Sequence, residues 1–270
     1  MEKLNLSENE IADINVLENA NFKELKEINL GGNKISDIKV LERVKFDNLE
    51  KLNLKMTKIS NIDTLENVNF KELKELDLGS SNISDIKILE KVKFENLEKL
   101  NLSKNKISNI DILEKVNFKE LKELKLYNNN ISDIQVLEKL KFIKLLILNL
   151  GVNKIANNIN ILKNVNFKEL KELNLKCNNI SDIKVLEKVK FENLEKLNLS
   201  KNIISNIDTL ENVNFNELKE IDLSSNNISD IKVLEKVKFE NLQKLNLKWN
   251  KIDENKFSSI IGKLKFEINF

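Results

Sequence analysis

The chain has 270 residues, a length that allows one or two globular domains. It is 41% hydrophobic and 33% charged, and its 45 basic and 43 acidic residues leave a net charge of +2. This balance gives no electrostatic footprint for nucleic acid or an anionic membrane, so we expect neither as a partner. Histidine is absent, which excludes a histidine base or metal ligand, and a single cysteine excludes an internal disulfide and a cysteine-based zinc site.

The turns and the start of the chain give two further expectations. Proline is absent and glycine occurs only five times, so turns must be made mainly by Asn, Ser and Asp. No run of 18 apolar residues is present to span a membrane, and the first residues lack the apolar stretch of a secretory signal peptide. We therefore expect a cytoplasmic protein with a free thiol at Cys177.

An internal repeat organises the chain. The apolar residues of each repeat keep the register L-x-x-L-x-L-x-x-N-x-I, and eleven repeats fill residues 1–252. A segment of different pattern, 253–270, follows them. Phenylalanine marks the repeats at a step of 24 residues with a single step of 25, at Phe22, Phe46, Phe70, Phe94, Phe118, Phe142, Phe167, Phe191, Phe215 and Phe239.

The first repeat starts at Met1 without a capping element before it. Its apolar residues, among them Leu4, Leu6 and Ile11, are expected to lie at an open end of the stack. Terminal repeats normally need a polar cap. We therefore expect self-association or fraying at this end, or a chain that is part of a larger protein.

Each repeat begins with a short strand and a turn. In the fifth repeat, Leu100 and Leu102 are spaced by two and point inward, so that stacked repeats form a parallel sheet. An asparagine such as Asn105 follows, and its amide can satisfy backbone groups inside the turn. Thr57 and Ser81 replace this asparagine in two repeats. Because a hydroxyl offers fewer bonds, we expect local loosening there, unless the change is neutral drift.

The second half of each repeat returns on the other side of the sheet. In the second repeat, Ser36 can cap a helix and Asp37 favours a first turn. Ile38, Leu41 and Val44 then recur every three residues. This spacing predicts one or two turns of 3₁₀ or α helix, with the repeated phenylalanine filling the space between outer segments.

The pattern resembles that of leucine-rich repeat proteins over nearly the whole chain, and the I-x-x-I-x-x-L continuation is most similar to the short repeats of internalins and of a protein-phosphatase regulatory subunit. The resemblance implies an α/β fold, a right-handed leucine-rich repeat solenoid shaped as a curved horseshoe. Its parallel sheet would be concave, with short helical or 3₁₀ segments on the convex side. The resemblance also implies recognition of a partner protein through the concave face.

Two columns of charged residues are predicted on the solvent side of the sheet, and their sign alternates from repeat to repeat. With strands about 4.8 Å apart, each lysine has glutamates beside it, which favours solubility and correct register. The true period is therefore a pair of repeats, 48 residues long. The first column is Glu2, Lys26, Glu50, Lys74, Glu98, Lys122, Leu146, Lys171, Glu195, Lys219 and Gln243. The second column is Lys3, Glu27, Lys51, Glu75, Lys99, Glu123, Ile147, Glu172, Lys196, Glu220 and Lys244.

The repeat that begins at Phe142 interrupts both columns. It carries Leu146 and Ile147 where Glu and Lys are expected, and it contains the one extra residue, in Asn157-Asn158. Exposed aliphatic side chains with a tyrosine, rimmed by charge, are what a protein-binding hot spot requires. The alternative is a decayed repeat without a ligand. The other unusual residues predicted on this face are Lys125, Tyr127, Val152 and Cys177.

The C-terminal segment differs from the repeats. Just before it, Trp249 either packs on a cap or forms a second partner contact. Asp253 can cap a helix, and Phe266, Ile268 and Phe270 alternate like a last strand. We therefore predict a C-terminal cap over 253–270. The apolar residues of the predicted helix are Phe257, Ile260, Ile261 and Leu264.

No catalytic constellation is found. Phosphate-binding glycine motifs are absent, Cys177 has no histidine partner, and the carboxylates recur at fixed repeat positions beside lysines. We therefore expect a non-enzymatic protein-binding module without a cofactor or metal. Two alternatives stay open: a structural or oligomerising segment of a larger chain, and a regulatory subunit of an enzyme such as a phosphatase.

Overall fold

The structure, a computed structural model, describes residues 1–20, 22–262 and 266–270. These residues form two compact units. The first comprises Met1–Ile131 and Leu140–Lys144, and the second comprises Ser132–Lys139 and Leu145–Phe270. In the part of the chain so described, no helix is long and apolar enough to cross a membrane.

Six parallel strands form the sheet of the first unit. Each is three residues long, with a buried or half-buried central Leu or Ile between two side chains that face solvent. Neighbours pair in register, for example Lys3 with Glu27 and Leu4 with Ile28. The strands are β1 (Lys3–Asn5), β2 (Glu27–Asn29), β3 (Lys51–Asn53), β4 (Glu75–Asp77), β5 (Lys99–Asn101) and β6 (Glu123–Lys125).

The second unit repeats this arrangement. Its strands are parallel and in register, for example Ile147 beside Glu172 and Lys244 beside Glu267. Its last strand comes from the C-terminal segment and extends the sheet by one. The strands are β7 (Ile147–Asn149), β8 (Glu172–Asn174), β9 (Lys196–Asn198), β10 (Glu220–Asp222), β11 (Lys244–Asn246) and β12 (Glu267–Asn269).

Short 3₁₀ helices occupy the second half of the repeats, as the three-residue apolar spacing predicts. An aspartate or asparagine two residues before the first helical residue supports most of them: the carboxylate of Asp37 accepts from the amide of Lys39 at 2.8 Å. The carboxylate of Asp37, rather than Ser36, therefore supports the turn. The 3₁₀ helices are Asn15–Asn19, Lys39–Glu42, Asp63–Glu66, Lys87–Glu90, Asp111–Glu114, Gln135–Glu138, Ala156–Asn164, Lys184–Lys188, Asp208–Glu211 and Lys232–Glu235.

The asparagine turn behaves as predicted. The side-chain amide of Asn33 donates to the carbonyls of Leu6 and Leu30, both at 2.8 Å, and its carbonyl accepts from the amide of Ile11 at 3.1 Å. One buried side chain thus joins two successive repeats. The residue before the asparagine has a positive φ, +69° at Gly32, which the sequence analysis did not anticipate.

Thr57 and Ser81, which replace the asparagine in two turns, are both buried and hydrogen-bonded. The hydroxyl of Thr57 donates to the carbonyl of Leu54 at 2.8 Å, and the two hydroxyls lie 3.3 Å apart. Among the described residues, neither hydroxyl accepts from the isoleucine amide of the preceding repeat, the bond that Asn33 makes with Ile11. Local loosening at these turns stays a prediction.

The extra residue of the long repeat is absorbed on the outer side. Ile155 and Ile159, both buried, are four residues apart, whereas the equivalent Ile131 and Ile134 are three apart. The result is the nine-residue 3₁₀ helix Ala156–Asn164. The sequence placed the insertion in this stretch, although the side chain of Asn157 lies outside the described part of the structure.

The core consists of the inward leucines and isoleucines and a column of phenylalanines. Phe46 and Phe70 are buried, and their ring centroids lie 5.9 Å apart. Stacked rings of this kind fill the space between successive outer segments, as predicted. The parallel sheet with 3₁₀ segments opposite it confirms the predicted fold class.

The two ends of the repeat array differ. Leu4, Leu6 and Ile11 are half-buried in the first repeat. At the other end, a helix, α1 (Glu254–Ile261), and β12 lie in the segment where a helix and a strand are predicted. Ile260 of the helix is buried. Leu264 and the side chains of Phe257 and Ile261 lie outside the described residues.

Candidate functional site

The charged columns form ion pairs along the sheet of the first unit. Lys74 and Glu50 meet at 2.9 Å, and Glu75 lies between Lys51 at 3.4 Å and Lys99 at 2.9 Å. Hydrogen bonding between the two side chains lowers the pKa of Glu50 and raises the pKa of Lys74. The predicted ladder is therefore present, and its exposed pairs contribute little individually to stability.

The ladder of the second unit is centred on Glu195. Lys219 and Lys171 both donate to its carboxylate, at 2.7 and 2.9 Å. These two hydrogen bonds lower the pKa of Glu195 to about 2. In the neighbouring column, Lys196 pairs with Glu172 at 3.2 Å.

A third column lies beside the ladder and was missed by the sequence analysis. The last residue of most strands is Asn or Asp, and its side-chain oxygen accepts from the amide two residues on, as Asn53 does from Lys55 at 3.0 Å. The signal was present as a regular recurrence of Asn at this position. In the first unit, this column and the ladder line a groove of about 560 Å³ across β1–β6. Its charged and amide side chains suit polar groups of a ligand.

Lys125 and Tyr127 belong to the first unit, and both are half-buried. Lys125 stands where most strands end in Asn or Asp, and its ammonium forms an ion pair with Glu123 on the same strand. Lys125 therefore supplies Glu123 with a cation from its own strand. The carbonyl of Tyr127 accepts from the amide of Lys104 at 2.6 Å, which fixes the backbone of this turn.

Leu146 and Ile147 belong to the second unit and interrupt the charged columns as predicted. Both side chains are half-buried on the solvent side of β7, where the ladder places charges in other repeats. The carbonyl of Leu146 accepts from the amides of Lys171 and Glu172, at 2.8 and 3.0 Å, so the backbone keeps the repeat geometry. Only the side chains depart from the pattern.

Val152 and Cys177 lie in the turns after β7 and β8. The amide of Val152 donates to the carbonyl of Lys176 at 2.6 Å, which joins these two turns. Both residues have a positive φ, +55° and +54°. Val152 is the one β-branched residue with positive φ in the described part of the chain, and this conformation is unfavourable for it.

Trp249 occupies the equivalent turn position after β11, with φ of +58°. Its side chain is 76% exposed. Its turn lies three strand spacings from the turn of Cys177, about 14 Å at the usual distance between strands. Within the second unit, Leu146, Ile147, Val152 and Cys177 are thus gathered in two adjacent repeats and Trp249 stands apart.

Two further exposed isoleucines were missed. Ile143, in the first unit, is 65% exposed and stands where the other repeats carry Lys, Glu, Asp or Asn. Ile203, in the second unit, is half exposed and replaces Lys, Asn or Glu. Comparing each column of the repeat alignment would have found both. Across the residues that the structure describes, no group of three acidic or cysteine side chains is placed to hold a metal ion.

Two family models match parts of the chain. A model of two leucine-rich repeats matches residues 1–43 and 95–139, and a model of one leucine-rich repeat matches residues 169–183 and 216–231. No curated protein sequence matches the chain significantly.

Solved structures of the same fold are numerous. An internalin from Listeria monocytogenes is 24% identical, with a TM-score of 0.61 over 100% of this chain and 87% of that chain. A leucine-rich repeat protein of Leptospira interrogans is 26% identical, with a TM-score of 0.61 over 92% of this chain and 73% of that one. A chain of an octameric complex of latrophilin 3, Unc5D and FLRT2 is 20% identical, with a TM-score of 0.72 over 99% and 82%. The repeat period, the parallel strands and these matches together show that the chain has a leucine-rich repeat fold.

Proposed function

We propose that the chain is a non-enzymatic module that binds a partner protein through the solvent side of its sheet. The observation that carries the proposal is the replacement of two ladder charges by Leu146 and Ile147 on a backbone that keeps the repeat geometry. A partner that covers these aliphatic side chains gains their burial. Solved structures of similar fold support the activity class, since FLRT2 contributes leucine-rich repeats to a protein complex.

The neighbouring unusual residues strengthen the proposal. Val152 holds a disfavoured backbone conformation beside Cys177, and strain of this kind is typical of binding sites. Lys125 and Tyr127 in the first unit and the exposed Trp249 in the second are proposed as further contacts. The charged ladder around these residues supplies the polar rim of such a surface.

The test restores the alternating charges at the two positions where Leu146 and Ile147 interrupt the columns. Leu146→Glu combined with Ile147→Lys places a glutamate beside Lys171 and a lysine beside Glu172, so we expect stability to change by less than about 1 kcal/mol. Binding should nevertheless weaken by about 2 kcal/mol, the scale of a hot spot. The measurement is quantitative cross-linking capture from the native cell, followed by titration of the recovered partner against both chains.

A matched control exchanges charges elsewhere in the ladder. Glu50→Lys combined with Lys74→Glu keeps their ion pair and leaves the interruption untouched. This control should retain every partner. If the Leu146→Glu, Ile147→Lys variant binds the partner as well as the original chain does, the interruption is a decayed repeat without a ligand. If the control also loses the partner, the ladder itself is the recognition surface. Recovery of a phosphatase would identify the module as an enzyme's regulatory subunit.

Self-association through the first repeat is a second candidate function. The half-buried Leu4, Leu6 and Ile11 favour it, because their equivalents in the second repeat are buried. Among the described residues, β1 pairs with β2 alone. The test is sedimentation of the chain over a range of concentrations.

The proposal includes a cytoplasmic location. Its support is the free thiol of Cys177 in a half-exposed turn, which suits a reducing compartment. Fractionation of the native cell, with thiol labelling of the recovered protein, tests it; a quantitatively oxidised Cys177 would contradict it.

A further inference from the structure

The turns that follow strands β7–β11 of the second unit share one backbone geometry. The residue before the turn asparagine has a φ between +54° and +58° in all five. Neighbouring turns are joined, since the amide of Cys177 donates to the carbonyl of Ser200 and that of Lys201 to the carbonyl of Ser224, both at 2.9 Å. Equivalent side chains therefore leave the surface in the same direction. We call these five turns the turn edge: residues 151–154, 176–179, 200–203, 224–227 and 248–251.

The turn edge is basic, although the chain as a whole is nearly neutral. Its five turns of four residues contain five lysines and no aspartate or glutamate. In the described part of the second unit, none of these lysines forms an ion pair, whereas Lys171 and Lys219 of the ladder both bind Glu195. The ladder thus neutralises itself and the turn edge keeps its charge. Its lysines are Lys154, Lys176, Lys201, Lys248 and Lys251.

Two carboxylates border the turn edge, and both are held by hydrogen bonds within their own turns. Asp222, the last residue of β10, accepts from the amide and the hydroxyl of Ser224 at 2.9 and 2.6 Å. Asp253 accepts from the amide of Asn255 at 2.9 Å, at the start of α1. The lysines of the turn edge therefore remain available to carboxylates of another molecule.

Apolar side chains stand among these lysines. Trp249 is 76% exposed, and Ile203 is 50% exposed where other repeats carry Lys, Asn or Glu. Their turns are two strand spacings apart, about 10 Å. Val152 and Cys177 continue the same edge and are half-buried. An exposed tryptophan and isoleucine beside unpaired lysines suit a ligand that is both acidic and apolar.

The length of the turn edge suits an extended protein segment. The turns after β7 and β11 are four strand spacings apart, about 19 Å, so about six residues of extended chain would cross all five turns. Nucleic acid would be attracted by the same lysines, but its phosphates gain nothing from the aliphatic Val152 and Ile203. Apolar side chains of a protein segment gain burial there.

We infer that the turn edge binds an extended acidic segment of a partner protein that also carries apolar residues. The inference rests on the proposed function, and it names the chemistry of the partner and a second surface beside the solvent side of the sheet. Carboxylates of the segment pair with the five lysines, and its apolar side chains pack on Ile203 and Trp249.

The experiment titrates the 270-residue chain with a labelled peptide of about ten residues that repeats Glu-Glu-Leu-Leu, followed by fluorescence anisotropy. The peptide should bind, and raising the salt concentration from about 0.05 M to about 0.5 M should weaken it. Lys201→Glu combined with Lys248→Glu should raise the Kd about tenfold. Trp249→Ala should raise it about 30-fold, the scale of a hot spot. The same peptide with lysine in place of glutamate should not bind.

The matched control is Lys184→Glu combined with Lys232→Glu. Both lysines are exposed first residues of 3₁₀ helices in the same unit, and alternate repeats carry aspartate at this position, as at Asp208. The control changes the net charge by the same amount away from the turn edge and should bind the peptide like the original chain. Thermal unfolding followed by circular dichroism should show all variants folded.

Three results with the peptide would overturn the inference. An acidic peptide that binds no better than its lysine counterpart rejects charge complementarity. An equal loss of binding in the control pair rejects the turn edge as the site. A single-stranded oligonucleotide of similar length that binds more tightly than the peptide, and is weakened by the same turn-edge variants, assigns the surface to nucleic acid.

The partner captured from the native cell separates this inference from the proposed function. If Leu146→Glu with Ile147→Lys loses the partner and Lys201→Glu with Lys248→Glu keeps it, the proposed function stands and the inference fails. If only the lysine variant loses the partner, the inference stands and the interruption at Leu146 and Ile147 does not carry binding.

Discussion

Val152 shows how one residue can carry information in a uniform repeat. The backbone of its turn requires a positive φ, which costs a branched side chain more than most others. The backbone amide of Val152 still donates its hydrogen bond to the carbonyl of Lys176, so the turn keeps its geometry despite this cost. A side chain retained against its backbone preference is a candidate for function.

Replacing Val152 with glycine should therefore stabilise the chain. Glycine adopts a positive φ without steric cost, so Val152→Gly should raise the free energy of unfolding by about 1 kcal/mol. Urea unfolding measures the change. Ser225→Gly, at the equivalent turn with φ of +54°, is the control and should give a smaller gain, because serine is unbranched. A loss of stability at Val152 would mean that the packing of its side chain outweighs the strain.

At the scale of the element, the turn after each strand is held by one asparagine that reaches two repeats. Asn105 accepts from the amides of Ser81 and Ile83, at 3.1 and 2.9 Å, and donates to the carbonyl of Leu78 at 2.9 Å. A hydroxyl can donate only one hydrogen bond. The turns of Thr57 and Ser81 are therefore bonded less completely than their neighbours.

Restoring both asparagines should strengthen these turns. Thr57→Asn with Ser81→Asn gives the amides of Ile35 and Ile59 the acceptor that the other repeats have. We expect the free energy of unfolding to rise by about 1–2 kcal/mol, measured by urea unfolding. The reverse change, Asn105→Ser, should lower it by about 1–3 kcal/mol. An unchanged or lower stability in the double variant would show that the hydroxyl pair already satisfies its surroundings.

The elements also show what the sequence could and could not predict. Spacing alone located the strands, the asparagine turns and the 3₁₀ helices, because a fixed period forces every repeat into one geometry. The residue before the turn asparagine has a positive φ, and this was missed because the side chains there, such as Glu8, Met56 and Lys104, share no chemical type. The geometry of the turn imposes this conformation whatever the side chain. The pairing of Lys125 with Glu123 was missed because it lies along one strand, whereas the ladder was read between strands.

At the scale of the whole molecule, the ladder makes the free energy of unfolding depend on pH in the acidic range. The pKa values of four glutamates are lowered in the folded chain: Glu50, Glu75, Glu120 and Glu195. At Glu75, burial alone would raise the pKa, and the neighbouring lysines outweigh it. At the other three, hydrogen bonds from lysine are the main cause. A group with a lowered pKa contributes stability above its ordinary value near 4.5, and this contribution is lost as the pH falls toward the folded value.

Unfolding should therefore become easier between about pH 5 and pH 2. Glu195→Gln should flatten this dependence, since the pKa of Glu195 is lowered to about 2. The variant would be less stable at neutral pH and approach the original chain at about pH 2. The measurement is the urea midpoint as a function of pH, with the exposed Glu217→Gln as control. A pH profile unchanged by Glu195→Gln would contradict a role for this double ion pair in acid stability.

The sign alternation of the ladder also bears on how a chain of near-identical repeats avoids stacking incorrectly. If folding skipped one repeat, β3 would meet β5, and Lys51 would lie beside Lys99 while Glu50 lay beside Glu98. Both columns would then oppose like charges at once, whereas the leucines beneath would fit equally well. The apolar core therefore cannot distinguish a neighbour from the repeat after it, and the surface charges can. Loss of a single repeat from the gene would create the same mismatch, whereas loss of two would preserve the alternation.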